Sequence, residues 1–172
     1  MISTGKKNLI AYYSRKGNNY MNGSIVDLPV GNTEAIAKII RESTGGDLFK
    51  IETLNPYPLD YTETTHISLE EKKKNVRPEL TEMVKEMEDY DVIYLGFPNW
   101  WGTMPMAVFT FLETYDFSGK TIIPFCTHEG SGMGRSERDI KKLCPQAKVL
   151  TGIAIRGTDV KTSEAMIKSW LP

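Results

Sequence analysis

The chain has 172 residues, of which 40% are hydrophobic and 25% are charged, and its formal net charge is −1. This length and composition are ordinary for one globular domain and exclude a disordered or fibrous chain. The near-zero charge argues against nucleic acid as a partner, because phosphate binding needs clustered Lys and Arg.

Five short, β-rich apolar runs alternate with helical patterns along the chain. The predicted strands are residues 8–13, 47–51, 91–97, 121–126 and 148–155. The predicted helices are residues 33–44, 78–88, 105–113 and 136–144, followed by a last helix that contains Met166, Ile167 and Trp170. Strands that alternate with helices form right-handed βαβ units. The sequence therefore predicts a single α/β domain over residues 1–172, with a five-stranded parallel sheet and helices on both faces.

The loops after the predicted strands carry the candidate chemistry. Sheets of this kind bind ligands outside the carboxyl ends of their strands, where the strand order reverses. The loops after the first, third and fourth strands read SRKGNN…GNT, PNWWGTMP and THEGSGMGRS, and all are rich in glycine, aromatic or hydroxyl residues. The long, Pro-rich loop after the second strand is expected to overhang the same edge.

Gly-Asn occurs twice after the first strand, and each copy could hold a phosphate. Gly31-Asn32-Thr33 precedes EAIAKIIRES, which has Glu in its first turn and an apolar stripe, so a helix begins there. Gly17-Asn18 leads instead to Asn22-Gly23, a hairpin signal, and to Pro29. Residues 17–30 are therefore predicted to be a hairpin inserted into a phosphate loop.

If this hairpin returns to its starting point, the residues on both sides of it face one phosphate. The residues predicted to do so are Ser14, Arg15, Asn32 and Thr33. The alternative interpretation is that Asn32 or Thr33 only caps the helix, as these residue types often do.

The segments together resemble the flavodoxin-like FMN-binding proteins, in the branch that carries an insertion in its phosphate loop. The resemblance rests on Ser14, the split Gly31-Asn32-Thr33, GFPNWWGTMPMAVFTFLE and CTHEGSGMG. It extends from about Asn8 to about Gly157. It implies a flavodoxin-like three-layer sandwich with strand order 2-1-3-4-5 and one noncovalently bound FMN.

The resemblance also implies which residues lie along the flavin. In the family, the loop after the third strand lies beside the ring, which implies contacts from Pro98, Asn99, Trp100, Trp101 and Gly102. Trp101 is favoured over Trp100 as the stacking residue, and the alternative is a Trp pair that fills a gap between sheet and helix. The loop after the fourth strand would line the pyrimidine edge with Thr127, His128, Glu129, Gly130, Ser131 and Gly132.

Two functional classes remain open at this point. One, which the overall resemblance favours, is an electron carrier that docks on a redox partner protein. The other is an NAD(P)H-dependent FMN reductase of quinones or similar small-molecule acceptors. The near-neutral charge departs from the acidic carriers of the family, whereas the chain shows no recognisable nicotinamide motif. We expect a monomer or a homodimer in either case.

Two further patterns bear on location and on the thiols. No apolar run reaches the ~18 residues of a membrane span, and MISTGKKNLIAYY lacks the apolar core of a signal peptide. We therefore expect a cytoplasmic protein with no membrane partner. Cys126 and Cys144 have neither C-x-x-C spacing nor a His cluster nearby, so we predict buried thiols and no metal site.

Overall fold

The computed structural model describes residues 7–172. Its strands are β1 Lys7–Tyr12, β2 Gly17–Met21, β3 Ser24–Leu28, β4 Asp47–Lys50, β5 Tyr90–Pro98, β6 Thr121–His128, β7 Lys148–Val149 and β8 Ile153–Arg156. Its α-helices are α1 Asn32–Thr44, α2 Tyr61–Lys73, α3 Met106–Thr114, α4 Ser136–Leu143 and α5 Glu164–Trp170. Short 3-10 turns lie at Met87–Asp89 and Gly157–Thr162.

The central sheet is parallel and has the order β4-β1-β5-β6-β7, and β8 pairs with the second half of β6. Strands β7 and β8 together occupy the position of the predicted fifth strand. The predicted strand order 2-1-3-4-5 is therefore confirmed, as is the arrangement of a parallel sheet with helices.

Both faces of the sheet are covered. Alternate residues of a strand point to opposite faces, and on one face Leu9 and Ala11 of β1 pack in a buried cluster with α3. On the other face Ile10 and Tyr12 pack with α1 and α5. Burial on both sides explains why the strands read as nearly continuous apolar runs rather than as alternating ones.

The predicted fifth strand is interrupted at residues 150–152. Ile122 pairs with Val149 and Phe125 pairs with Ile153, so three residues on the edge face two on β6. Pro124 of β6 has no N–H to donate in this gap. Gly152 packs so closely there that a Cβ on it would lie 2.4 Å from the Pro124 carbonyl oxygen.

Residues 78–88, predicted to be a helix, form no α-helix, and that prediction is wrong; only Met87 and Glu88 are helical, in the short 3-10 turn. The segment runs extended and then turns, and Thr81 N–H donates to the Glu52 carbonyl oxygen at 2.9 Å. Leu80 and Val84 pack against the core cluster from this irregular backbone. Their spacing of four therefore reflects the burial of a non-helical segment.

The helix between β4 and β5 lies instead at Tyr61–Lys73, inside the loop that was predicted to overhang the sheet edge. Asp60 caps it, because its side chain accepts the Glu63 N–H at 2.7 Å. The buried residues of this helix are Thr64 and Ser68. No apolar stripe marks α2, so hydrophobic periodicity alone does not identify it.

Strands β2 and β3 form an antiparallel hairpin separate from the central sheet. Its turn is Asn22-Gly23, and both residues have positive φ, 51° and 85°. This is the type I′ geometry that a two-residue hairpin loop favours, which Asn-Gly adopts at low cost. The hairpin is inserted between β1 and α1, at the carboxyl edge of the central sheet.

The thiols are buried, as predicted. Cys126 and Cys144 are both free and buried, and burial raises the pKa of Cys126 to about 12. Across residues 7–172 no three His, Cys, Asp or Glu side chains form a metal-binding group. Within the same range, no helix combines the length and the apolar character needed to cross a bilayer.

Candidate functional site

The start of α1 lies against the carboxyl end of β1, where the chain returns from the hairpin. Gly31 contacts the residues that follow β1: a Cβ on it would lie 2.2 Å from Ser14 Oγ and 2.7 Å from the Arg15 carbonyl oxygen. Ser14 Oγ accepts the Glu34 N–H at 3.1 Å. The two ends of the interrupted loop are thus in direct contact and belong to one site.

Hydrogen-bond donors collect at this helix start. The backbone N–H groups of Asn32 and Thr33 have no acceptor within residues 7–172, whereas Ala35 N–H donates to Gly31. Thr33 Oγ1 lies 2.8 Å from Thr127 Oγ1 of β6. Free N–H groups at the positive end of a helix, with hydroxyls beside them, are the donors that bind phosphate in proteins.

The segment after β5 forms a tight turn over Trp100–Thr103. Trp101 and Gly102 have positive φ, 57° and 83°, as a type I′ turn requires. Trp100 and Thr103 exchange backbone hydrogen bonds at 2.8 and 3.3 Å. Gly102 adopts this conformation without penalty, whereas Trp101 is a bulky residue in a region it rarely occupies. Its contacts must therefore hold it there.

Asn99 joins this turn to the loop after β6. Its Oδ1 accepts the Gly102 N–H at 2.9 Å, and its Nδ2 donates to the Gly132 carbonyl oxygen at 2.8 Å. Its backbone N–H donates to Thr127 at 2.8 Å. One side chain thus fixes the spacing between two of the three loops.

The two tryptophans have different surroundings. The Trp100 ring is half-buried and meets Tyr13 and Tyr57 edge to face, with centroid distances of 5.2 and 5.3 Å. Trp101 is 43% exposed, and its Nε1 donates to Ser68 Oγ of α2 at 3.0 Å. Trp100 therefore belongs to the aromatic core of the site, while Trp101 belongs to its rim.

The loop after β6 is ordered by His128. Gly130 N–H donates to His128 Nδ1 at 2.9 Å, which leaves Nε2 to carry the proton of the neutral ring. Burial lowers the pKa of His128, and the nearby Arg156 lowers it further, against the opposing effects of Glu129 and Asp159. The ring is therefore neutral at pH 7 and acts here as a hydrogen-bond acceptor.

The hairpin closes over the site from the other side. The Tyr20 ring stacks on Tyr61 at the start of α2, with centroids 6.2 Å apart and planes at 28°. At the hairpin turn, Asn22 N–H donates to Glu129 Oε2 at 3.1 Å. The hairpin is thus attached to both α2 and the loop after β6, and it bridges the gap between them.

Arg15 anchors the base of the hairpin. Its Nη2 donates to the carbonyl oxygens of Pro58 and Leu59 at 3.1 and 2.8 Å, and its Nε donates to that of Asn18 at 3.1 Å. These acceptors are neutral, so the guanidinium keeps its positive charge within the site. Arg15 thereby links the hairpin to the segment before α2.

Two adjoining cavities, of about 260 and 210 Å³, lie between these elements and share five lining residues, among them Trp100 and Tyr61. Ten of the predicted site residues line the larger one: Arg15, Asn32, Thr33, Pro98, Asn99, Trp100, Thr127, His128, Glu129 and Ser131. Trp101 lines only the smaller one. Ser14, Gly102, Gly130 and Gly132 line neither of these two cavities.

A more voluminous groove of about 780 Å³ lies between the hairpin base and the segment after β4, and the predicted site residues Ser14 and Arg15 line it. Its charged residues are of both signs: Arg15, Lys16 and Lys50 are basic, and Asp27 and Glu52 are acidic. It receives neither the start of α1 nor the Thr33 hydroxyl. We therefore take the two smaller cavities as the candidate site, because the free donors and the aromatic wall meet there.

Comparison with known families gives a match over nearly the whole chain. A family model described as Flavodoxin matches residues 7–172. The chain belongs to the flavodoxin family. The predicted flavodoxin-like α/β fold is thereby confirmed, together with the strand order described above.

Solved structures resemble this flavodoxin-family chain over their full length. A candidate flavoprotein of Bacteroides uniformis is 28% identical with a TM-score of 0.72, over 96% of this chain and 99% of that one. One of Bacteroides eggerthii is 27% identical with a TM-score of 0.71, over 95% and 98%. A Lactobacillus acidophilus flavoprotein in complex with FMN is 22% identical with a TM-score of 0.64, over 92% and 98%. A search of curated proteins finds no significant match.

Within this flavodoxin-family site, the structure adds residues that the sequence patterns did not single out. Asn19 and Tyr20 of the hairpin line the larger cavity, and Thr64, Thr65 and Ser68 of α2 line the smaller one. The hairpin residues enter the site because the contacts of Arg15, Glu129 and Tyr61 hold the hairpin over it. The α2 residues could have been found from the capping pattern DYTE, which marks a helix start.

Proposed function

We propose that the protein binds one FMN noncovalently in the two adjoining cavities and transfers electrons through it. The phosphate takes the donors at the start of α1, including Asn32 and Thr33. The flavin ring lies against the wall that contains Trp100. The bound flavin supplies the redox chemistry, and the protein supplies binding, orientation and electrostatics.

The observation that carries this proposal is the meeting of two unlike surfaces in one cavity. Free N–H groups and the Thr33 and Thr127 hydroxyls form one end, and the aromatic rings of Trp100, Tyr20 and Tyr61 border it. A phosphate ester joined to a flat amphipathic ring needs both surfaces at once. A helix cap alone would not need the aromatic wall.

The comparisons support the same cofactor. The family model is that of flavodoxins, and the Lactobacillus acidophilus relative of similar fold is a flavoprotein in complex with FMN. The residues of this chain fit the group on their own chemistry. The donors are neutral or cationic, and Arg15 keeps an unneutralised charge beside them, which favours a dianion.

Side chains of this site also act on the ring environment. The neutral His128 and the carboxylate of Glu129 line the cavity together with Ser131. A fixed carboxylate near a flavin disfavours the accumulation of negative charge on it, while backbone donors favour it. Residues of the hairpin and of α2, including Asn19, Tyr20 and Tyr61, border the cavity.

The test is a titration of FMN-free protein with FMN and with riboflavin, followed by flavin fluorescence. Riboflavin has the same ring and lacks the phosphate, so we expect FMN to bind roughly 100-fold more tightly, the equivalent of one or two hydrogen bonds to a charged group. Equal affinities for the two compounds would refute the phosphate site at α1. No binding of either compound would refute the flavin proposal as a whole.

Stepwise anaerobic reduction of the FMN-loaded protein, followed by absorbance, distinguishes the two kinds of electron transfer. Two separate one-electron steps support a carrier that serves a redox partner protein. A single two-electron step supports an NAD(P)H-dependent reductase of quinones or similar small acceptors. The oxidation of NADPH and NADH with a quinone present then tests the second class directly.

A further inference from the structure

Helix α2 contacts the turn after β5 through one face. Trp101 Nε1 donates to Ser68 Oγ at 3.0 Å. Lys72 Nζ donates to the Trp101 carbonyl oxygen. Ser68 and Lys72 are four positions apart and therefore lie above one another on the helix. The side chain and the backbone of a single tryptophan are thus held by neighbouring residues of α2.

The same face also reaches the other tryptophan. Glu71 Oε2 accepts the hydroxyl of Tyr57 at 2.5 Å, and the Tyr57 ring meets Trp100 edge to face. Both residues of this pair are partly buried, and burial raises the pKa of Tyr57 and that of Glu71. We call Ser68, Glu71 and Lys72 the clamp face of α2.

The turn is held from its opposite side as well. The Gly102 N–H donates to Asn99 Oδ1 at 2.9 Å, and the Gly102 carbonyl oxygen accepts the Arg135 N–H at 2.9 Å. The Trp101–Gly102 peptide consequently has a partner at each end. Its carbonyl points to Lys72 and its N–H points to Asn99, so rotation of this peptide breaks two hydrogen bonds together.

Lys72 is placed for this contact rather than for an ion pair. Within residues 7–172 it makes no salt bridge, whereas its neighbour Lys73 pairs with Glu70 and has a 61% exposed side chain. Burial and the nearby Arg135 lower the pKa of Lys72, against the opposing effect of Asp139. The Lys72 ammonium therefore has the Trp101 carbonyl as its hydrogen-bond partner at a position that is still partly exposed to water.

We propose that the clamp face of α2 is a positioning element for the flavin site, in which Lys72 holds the Trp101–Gly102 peptide in the orientation described above. Lys72 acts through the turn and is a positioning residue, not a catalytic one. The role of the clamp face toward the flavin rests on the proposed function. The hydrogen bonds of the clamp face join residues of the chain alone and do not require FMN.

The first test uses FMN-free protein, so it does not depend on cofactor binding. Glycine is labelled with ¹⁵N, and the hydrogen exchange of the Gly102 amide is measured by NMR in the wild type, Lys72→Met and Lys73→Met. We expect exchange about tenfold faster in Lys72→Met, because the turn opens more often, and unchanged exchange in Lys73→Met. Unchanged exchange in Lys72→Met, or equal acceleration in both variants, would overturn the clamp.

The second test concerns the flavin. The potentials of the two reduction steps and the FMN dissociation constant are measured for the same three proteins. We expect Lys72→Met to change the separation of the two potentials while Lys73→Met retains the wild-type values. If Gly102 exchange rises and the potentials stay the same, the role toward the flavin is refuted and the clamp stands.

A third variant tests whether the effect of Lys72→Met comes from the lost hydrogen-bond donor or from a folding defect. Measuring FMN binding then distinguishes a failure of the clamp from a failure of the proposed function. Lys72→Arg keeps a cationic donor of similar reach, so we expect it to restore slow Gly102 exchange. If it exchanges as fast as Lys72→Met, the donor role is refuted. If no variant and no wild-type protein binds FMN, the proposed function is refuted, and Gly102 exchange still decides the clamp.

Discussion

The side-chain hydroxyls of Thr33 and Thr127 lie 2.8 Å apart, although 94 positions separate the two residues in the chain. Thr33 is in the first turn of α1 and Thr127 is near the end of β6. Both residues are buried, with exposures of 1% and 4%. This hydrogen bond joins the start of the helix to the loop that carries His128, and it fixes the donor end of the cavity.

Thr33→Val keeps the shape of this side chain and removes its hydroxyl. We expect FMN affinity to fall about tenfold, because one donor is lost and Thr127 loses its partner. Riboflavin affinity should not change. The control is Thr44→Val at the other end of the helix, where the hydroxyl donates to Ile40. An equal loss for riboflavin would assign Thr33 a purely structural role.

Gly31→Ala tests the close contact between the two ends of the interrupted loop. The added Cβ would lie 2.2 Å from Ser14 Oγ and 2.7 Å from backbone, so we expect a loss of about 2 kcal/mol in the free energy of unfolding. Urea denaturation measures it. Gly45→Ala is the comparison at the helix end: it meets no atom within 4 Å but has φ of 69°.

Gly45→Ala should cost about 1 kcal/mol through its left-handed backbone alone and leave FMN affinity at the wild-type value. Gly31→Ala should lower FMN affinity as well, because it displaces Ser14 and Arg15. Wild-type FMN affinity in Gly31→Ala would mean that the junction of the loop lies outside the phosphate site.

Tyr20→Ala removes the ring that stacks on Tyr61 and covers the larger cavity. We expect FMN to dissociate several-fold faster, with a small effect on global stability, because Tyr20 is 43% exposed. Stopped-flow fluorescence measures the dissociation rate. Ile25→Ala is the matched control, since Ile25 is the cross-strand partner of Tyr20 and is 50% exposed. Equal rates in the two variants would argue against the hairpin as a cover.

The stability of the protein should depend on pH through His128. Burial lowers its pKa below the ordinary value of 6.5, so the unfolded chain binds this proton more readily than the folded protein. The free energy of unfolding should therefore fall as the pH drops below about 6.5. His128→Gln removes this component, and His66→Gln at the exposed second histidine retains it. Urea denaturation at a series of pH values measures both.

Sequence patterns located the sheet well because its strands are buried on both faces. After their first, polar residue, the runs NLIAYY and DVIYLGF contain no charged or amide side chain, which is typical of strands that are buried on both faces. The three loops then followed from the rule that parallel strands end at one edge. This is why ten predicted residues meet in one cavity although they come from four separate segments.

Hydrophobic periodicity gave a wrong prediction for the segments in which burial and helix formation do not coincide. Leu80 and Val84 have helical spacing but belong to an irregular segment, from which they are partly buried, while α2 buries Thr64 and Ser68 and so carries no apolar stripe. Tertiary contacts stabilise α2 on the site side. The N-cap residue Asp60 is a local sequence feature that marks the start of α2, which has no amphipathic pattern.

The sequence Asn22-Gly23 predicts the hairpin turn, but it does not predict where the hairpin packs on the domain. A two-residue turn fixes how β2 pairs with β3 and leaves the direction of the whole hairpin open. That direction depends on single long-range contacts such as Asn22 with Glu129 and Arg15 with Leu59. Local sequence carries little information about contacts of this kind.

The interruption at residues 150–152 also affects how molecules meet one another. One border of the central sheet is split between β7, of two residues, and β8, of four, and the opposite border is β4, also of four. An unpaired border is a template on which a strand from another chain can grow, and its length sets how firmly that strand is held. Edge strands this short and interrupted can form few hydrogen bonds with a strand of another molecule. They therefore disfavour aggregation through the edges of the sheet at high protein concentration.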